Sequence, residues 1–214
     1  MNLKINEIFY SIQGESLYAG LPCIFIRLTG CNLRCLYCDT QYAYEEGSVV
    51  TIREIIDTLS QYACKLVEIT GGEPLCQSAT PMLITKLIEK GYIVLLETNG
   101  SKDIRLADPK CIKIVDIKCP ASGESENNDL ENLNRLTEND QLKFVISDRD
   151  DYEYAKNIIC STWNHPFQVP ILFSAVHPVL DHALLAKWIL NDNLNVRLQI
   201  QLHKILWPNE DKGK

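Results

Sequence analysis

Apolar residues recur along the chain in short uninterrupted runs, and stretches of helix length with a one-sided apolar stripe separate one run from the next. The runs at 3–10, 23–28, 66–70, 93–97, 112–117, 142–146, 169–173 and 196–202 have the length and residue types of strands. Several show no polar alternation, as parallel strands covered on both faces should. Between them, Thr51-Ile52-Arg53-Glu54 forms a capping box ahead of Ile55, Ile56 and Leu59. Residues 78–90 carry an apolar stripe stopped by Gly91, and 150–160 and 181–190 are further helix candidates. Segment 121–140, rich in Ser, Asn, Asp and Glu, reads as an exposed loop with one short helix. This alternation predicts an α/β fold, a mostly parallel sheet covered by helices.

Composition narrows the class. At 214 residues the chain has room for one domain, 1–214, with a sizeable core. Apolar residues at 46% and charged residues at 23% give an ordinary globular balance, which excludes disordered and collagen-like chains. A net charge of −7 does not suit a protein that gathers a polyanion, so no nucleic acid partner is expected. The N-terminus lacks a basic start with an apolar segment behind it, and no apolar run approaches the ~18 residues that span a bilayer. The expectation is a cytoplasmic protein with no membrane partner. The nine cysteines stand out. Their number is odd and the chain needs no disulfide staples, so reduced thiols are expected.

Three of those cysteines crowd into Gly30-Cys31-Asn32-Leu33-Arg34-Cys35-Leu36-Tyr37-Cys38-Asp39-Thr40, directly after the strand at 23–28. Cys23, Cys64, Cys76, Cys111, Cys119 and Cys160 are scattered and read as packing residues. A loop at 31–38 can wrap an iron–sulfur cube with three thiolates, leaving one iron open for chemistry. Structural zinc usually wants four ligands, and no fourth lies near, since the first histidine is His165. The spacing of Cys35 and Cys38 also fits a redox dithiol, although that leaves Cys31 unexplained. Zinc and redox modules therefore stay open on the residues alone. Downstream, Gly71-Gly72-Glu73-Pro74, Glu97-Thr98-Asn99-Gly100 and Asp116-Ile117-Lys118 end successive strands. Parallel β/α folds build their sites at the carboxyl ends of strands, so these motifs are expected on one face with the cysteine loop.

The Cys-x-x-x-Cys-x-x-Cys run, with Tyr37 before its last cysteine, resembles the signature of the radical S-adenosylmethionine superfamily. The resemblance implies a 4Fe-4S cluster held by Cys31, Cys35 and Cys38, with S-adenosylmethionine chelating the open iron. It also implies an electron donor such as a flavodoxin-type protein. Gly71 to Pro74 resembles the superfamily's GGEP motif, whose backbone and polar groups hold the methionine amino group. The architecture so implied is an incomplete parallel β/α barrel, because a complete eightfold barrel typically needs ~250 residues.

A narrower resemblance rests on Ile8-Phe9-Tyr10-Ser11-Ile12-Gln13-Gly14-Glu15-Ser16, Cys23-Ile24-Phe25-Ile26-Arg27-Leu28-Thr29-Gly30, Asp39-Thr40, and Val196 to Lys204 as a closing strand. Together they resemble the 7-carboxy-7-deazaguanine synthase family. This implies a Mg2+-dependent ring contraction of 6-carboxy-5,6,7,8-tetrahydropterin to 7-carboxy-7-deazaguanine with loss of ammonia, on the route to queuosine and related nucleosides. Ile12, Gln13, Gly14, Glu15 and Thr70 map to substrate contacts. Arg27 maps to the group that receives the substrate carboxylate, which a guanidinium fork suits. Thr40 maps to a Mg2+ ligand, a hard oxygen donor for a hard cation. Tyr37, Cys38, Asp39, Gly72, Glu73, Asp116, Ile117 and Lys118 map to the cofactor. Several relatives carry Ser-Pro-Lys where this chain has Asp116-Ile117-Lys118. Some relatives end near a proline whose carboxylate meets the substrate, whereas Pro208 is followed here by six residues. The family resemblance also implies a homodimer. A radical activating enzyme that abstracts hydrogen from a glycine of a partner protein shares the short length and the Gly30 to Cys35 character. It needs neither Arg27 nor Thr40, and a zinc or redox module does not need Gly71 to Pro74.

Overall fold

The apolar runs pair into one sheet of nine strands. These are β1 (Asn2–Ile12), β2 (Pro22–Leu28), β3 (Ser48–Thr51), β4 (Leu66–Gly71), β5 (Ile93–Thr98), β6 (Ile112–Ile117), β7 (Gln141–Ile146), β8 (Ile171–Ala175) and β9 (Arg197–Gln199). The computed structural model describes residues 1–162, 169–210, 212 and 213, and His165 lies outside them. The spatial order is β3-β1-β2-β4-β5-β6-β7-β8-β9, with β1 antiparallel to β2 and β3 and every later pairing parallel. The sheet does not close, so the architecture is the incomplete β/α barrel expected. Its helices are α1 (Ile52–Leu59), α2 (Thr80–Glu89), α3 (Asn132–Arg135), α4 (Arg149–Asn157), α5 (His182–Asn191) and α6 (Leu202–Leu206). None of the described helices is long and apolar enough to cross a membrane.

Local chemistry explains most boundaries. The capping box forms as predicted: Thr51 Oγ1 accepts from Glu54 N at 3.2 Å, and the Glu54 carboxylate accepts from Thr51 N at 2.8 Å. The strand expected from 169 starts at Ile171, because Pro170 has no N–H to donate and serves through its carbonyl, which accepts from Leu142 N at 2.9 Å. The run at 196–202 forms a strand only over Arg197–Gln199, since the chain turns into α6 where Leu202 N donates to Gly14 O at 3.0 Å. β3 was not expected; its four residues lie on the sheet edge, largely exposed, and are defined by pairing with β1 rather than by their own pattern. Segment 121–140 contains α3 and two single 3-10 turns, as a polar loop with one short helix should.

Alternation along each strand separates two environments. Ile24, Ile26 and Leu28 of β2, Val67 and Ile69 of β4, and Val94 and Leu96 of β5 join one apolar cluster with Ile55 and Leu59 of α1 and Leu83, Ile84 and Leu87 of α2. Val115 and Ile117, then Leu142, Phe144 and Ile146, form a second cluster with Tyr152 and Ala155 of α4 and Leu185 and Ile189 of α5. The intervening positions Arg27, Glu68, Thr70, Glu97, Asp116 and Lys143 share the other face. Helices therefore hold the outside of the curve and leave its inner face free for chemistry.

Two measurements check this layering. Ile26→Ala removes a fully buried side chain beneath the helices and should cost about 2–5 kcal/mol in urea unfolding. Thr51→Ala removes one cap of an exposed turn and should cost about 1 kcal/mol.

Candidate active site

A cavity of about 250 Å³ opens at the carboxyl ends of the parallel strands. It receives all the site residues expected from the sequence except two. Ile12, Gln13, Gly14, Glu15, Arg27, Cys31, Cys35, Tyr37, Cys38, Asp39, Thr40, Thr70, Gly72, Asp116 and Lys118 line it. The side chain of Ile117 instead belongs to the outer apolar cluster. Glu73 lies beneath the wall, fully buried, where its carboxylate accepts from Thr98 Oγ1 at 2.9 Å, Asn99 N at 2.7 Å and Leu75 N at 2.9 Å. Its acid is pushed up by burial, and its hydrogen bonds lock the end of β5 to the turn after β4.

The cysteine loop is held by the chain's own hydrogen bonds. Leu33 N and Asn99 Nδ2 donate to Cys31 Sγ at 3.4 and 3.7 Å, Leu36 N donates to Ser122 O at 3.0 Å, and Arg34 N donates to Glu124 Oε1 at 2.6 Å. The Arg34 guanidinium donates to Cys31 O and Leu33 O at 2.8 Å each and lies over the Tyr44 ring. Gly72 presses against this loop. A Cβ there would stand 2.1 Å from Gly30 O and 3.0 Å from Cys31 Cβ, so only glycine permits the approach. Among the described residues no three His, Cys, Asp or Glu side chains converge on a single metal ion. Cys31, Cys35 and Cys38 all line the cavity, and three thiolates suit three corners of an iron–sulfur cube. Burial pushes the Cys31 and Cys35 thiols up, while the nearby Lys118 ammonium pulls both toward the thiolate a cluster needs.

Beside the cysteines, Asp116 offers a second sign of a bound group. Its Oδ2 accepts from Lys118 Nζ at 2.7 Å, but its buried Oδ1 has no hydrogen-bond partner. A buried carboxylate oxygen left unsatisfied at a cavity wall is an acceptor waiting for a donor such as an ammonium or a ribose hydroxyl. The residues thus fit a cationic, hydroxyl-bearing cofactor next to the cysteine loop.

The opposite wall concentrates charge. Lys143 donates to Glu15 and, at 2.6 Å, to Glu97 Oε1. Gln199 Nε2 and Gln201 Nε2 also donate to Glu15, at 3.0 and 2.7 Å. Burial raises Glu15, yet Lys143 and His203 outweigh it and hold the carboxyl below its usual range. Glu68, hydrogen-bonded by Gln13, is pushed well up by burial and by the charges of Glu97 and Glu15. Glu68 therefore holds its proton more tightly than an ordinary carboxyl does.

Arg27 and Thr40 complete the wall between these regions. Arg27 projects from β2 between the rings of Phe9 and Tyr42, with centroids 5.6 and 5.8 Å from its guanidinium carbon. Thr40 Oγ1 donates to Asp39 Oδ1 at 2.9 Å. Burial raises Asp39, but Lys204 and the Thr40 hydroxyl prevail and keep it ionised below the usual carboxylate range. A hydroxyl and an ionised carboxylate side by side fit a hard divalent cation that takes few ligands from protein.

Comparison with known proteins agrees with this geometry. The Radical SAM superfamily profile matches residues 25–113. A 7-carboxy-7-deazaguanine synthase of Koribacter versatilis is 43% identical over 228 residues, covering 99% of this chain and 100% of the relative. One of Chlorobaculum tepidum is 44% identical over 216 residues, covering 99% and 97%. The chain belongs to the 7-carboxy-7-deazaguanine synthase family. In fold, it matches the crystal structure of QueE from Escherichia coli with a TM-score of 0.72 at 21% identity, over 93% of this chain and 94% of that one. Streptococcus suis SuiB bound to S-adenosylmethionine matches with a TM-score of 0.56 at 13% identity, over 85% of this chain and 51% of that one.

In this member of the 7-carboxy-7-deazaguanine synthase family, Glu97 lines the site as its strand-end motif predicts, whereas Glu68, Lys143, Gln199, Gln201 and His203 are site groups that the sequence motifs did not flag. Glu68 and Lys143 are each a lone charge within an apolar strand, and that isolation is the signal that marks them. Of the scattered cysteines, Cys23, Cys111 and Cys119 are buried as expected, while Cys76 and Cys160 are exposed; all nine are free thiols.

Gly72→Ala should force the turn off the cysteine loop, and iron retained after reconstitution should fall well below that of the parent. A second expectation concerns pH. Because Glu68 holds its proton more tightly when folded, it favours the native state below its ordinary value of 4.5, and that contribution is lost as pH rises through the folded value. Glu68→Gln removes the effect. Its melting temperature relative to the parent should rise as pH is raised above 4.5, and a constant difference would contradict the tighter hold of Glu68 on its proton.

Proposed function

We infer that this chain is a 7-carboxy-7-deazaguanine synthase, converting 6-carboxy-5,6,7,8-tetrahydropterin to 7-carboxy-7-deazaguanine with loss of ammonia in 7-deazapurine biosynthesis. The observation that carries this reading is that Arg27 and Thr40 share one cavity with Cys31, Cys35 and Cys38. A carboxylated substrate held by Arg27 then lies within the same chamber as the cluster site. When bound, the cluster and S-adenosylmethionine supply a reductively generated carbon radical that abstracts hydrogen.

The chain's residues bind and orient. Cys31, Cys35 and Cys38 hold the 4Fe-4S cluster, helped by the positive charge of Lys118. The backbone at Gly72, the ring of Tyr37, Asp39 and the unpaired oxygen of Asp116 cradle S-adenosylmethionine, with Glu73 fixing the turn from behind. Ile117 contributes through its backbone. Ile12, Gln13, Gly14, Glu15 and Thr70 line the substrate portion, and Arg27 forks onto the substrate carboxylate. Thr40, with Asp39 beside it, offers oxygen to Mg2+, the remaining ligands being water and substrate. Lys143, itself withdrawn from water, strengthens its contacts with Glu15 and Glu97.

The chain works as one domain, 1–214, in the cytoplasm, receives its electron from a flavodoxin-type donor and acts as a homodimer. Exposed Leu198, Ile200, Ile205 and Leu206 near the C-terminus support a partner face.

Anaerobic reconstitution should load about four iron and four sulfide per chain, lost in Cys31→Ala. Reductant, S-adenosylmethionine, Mg2+ and 6-carboxytetrahydropterin should then yield the deazapurine. No deazapurine, alongside a glycyl radical on an added partner protein, would assign the chain to radical activation. Arg27→Ala should impair substrate use, with a raised KM for the carboxylated substrate, yet keep reductive cleavage of S-adenosylmethionine, and Thr40→Ala should weaken the Mg2+ response.

A further inference from the structure

Arg27 is aimed by a residue on the neighbouring strand. In the β1–β2 register Ile5 pairs with Leu28 but Glu7 pairs with Arg27, so two steps on β1 match one on β2 and Asn6 is the bulged residue. In a regular strand Glu7 would share a face with Leu3 and Ile5, under the helices. The bulge reverses the parity and brings Glu7 to the cavity side, where bulges characteristically re-aim a side chain. Asn6 is fixed in turn, its Nδ2 donating to Glu46 O at 2.9 Å.

Glu7 then serves three elements. Its Oε1 accepts from Arg27 Nε at 2.8 Å and from the Tyr42 hydroxyl at 3.0 Å, and its Oε2 accepts from Gly213 N at 3.1 Å. Glu7 and Arg27 retain only 18% and 14% of their side-chain exposure, so this pair is shielded rather than a solvated surface contact. With Nε engaged and the guanidinium plane flanked by Phe9 and Tyr42, the side chain has little rotational freedom. The Lys212 ammonium, next to Gly213, lies over the Tyr42 ring, 4.6 Å from its centroid.

We propose that Glu7 is a positioning residue for the ring contraction: it orients the Arg27 guanidinium toward the substrate carboxylate and docks the C-terminal segment against it. This rests on Arg27 being the carboxylate receptor. Glu7 touches no reacting atom and acts through Arg27 alone, so its loss affects carboxylate recognition and leaves the rest of the cavity intact.

The test uses reconstituted holoenzyme at saturating S-adenosylmethionine and Mg2+. Glu7→Ala should raise KM for 6-carboxytetrahydropterin roughly tenfold with a much smaller change in kcat. Glu7→Gln, which keeps the shape and one acceptor, should fall between it and the parent. Inhibition by tetrahydropterin lacking the carboxylate should be unchanged in both variants. The double variant Glu7→Ala/Arg27→Ala should be no worse than Arg27→Ala alone. An unchanged KM in Glu7→Ala, equal weakening of the carboxylate-free inhibitor, or additive losses in the double variant would each overturn the proposal while Arg27→Ala still raises KM. If Arg27→Ala itself leaves KM unchanged, the reading of Arg27 fails and the proposal falls with it.

Discussion

The ammonium of Lys143, buried between Glu15 and Glu97, is the contact on which the inner face of the sheet depends. A charge removed from water costs several kcal/mol unless it is paired and its hydrogen-bonding capacity is filled. Lys143 satisfies Glu15 from β7, Gln199 and Gln201 satisfy it from the far edge, and the pairing draws the loop after β1 across the sheet. The same cation carries Glu97 of β5. Glu68, the third acid of this face, holds its proton more tightly than a free carboxyl because burial and the charges of Glu97 and Glu15 disfavour its ionised form. Four separate parts of the chain are thereby bound to one point. Without this pairing the cavity would have no fixed wall.

The outer half of the molecule was legible in its sequence because it follows from periodicity and capping. Thr51 to Glu54 announced α1, Gly91 ended the α2 segment, and the apolar runs located the parallel strands to within a few residues. The cysteine loop and the turn after β4 were legible for another reason: Cys31 to Cys38 and Gly71 to Pro74 are dense local patterns. What escaped was distributed chemistry. Glu68 and Lys143 each sit singly among apolar neighbours, and only the register of β4 to β7 brings them beside Glu97. β3 escaped because pairing with β1, not its own residues, makes it a strand.

Parity governs the site in a way that run length does not reveal. An uninterrupted apolar run such as the one spanning β2 still presents alternate residues to opposite faces, so Arg27 looks inward while Ile26 and Leu28 look outward. One inserted residue, Asn6, changes which side of β1 supports that arginine. Asp116 illustrates the complementary case: its position at the end of β6 was clear, but its orphaned oxygen emerges only when burial and partners are counted.

The two ends of the chain meet at this cavity. Gly213 reaches Glu7, Gln201 and Gln199 reach Glu15, and Leu202 pairs with Gly14. During synthesis the first strands emerge early, and the helices over β2 to β5 have their partners long before the last dozen or so residues exist. The wall around the substrate does not. A chain interrupted before residue 197 would therefore keep most of its apolar core and its cysteine loop while its chamber stood open to water, so chemistry that must be shielded from solvent waits on residues 199–213.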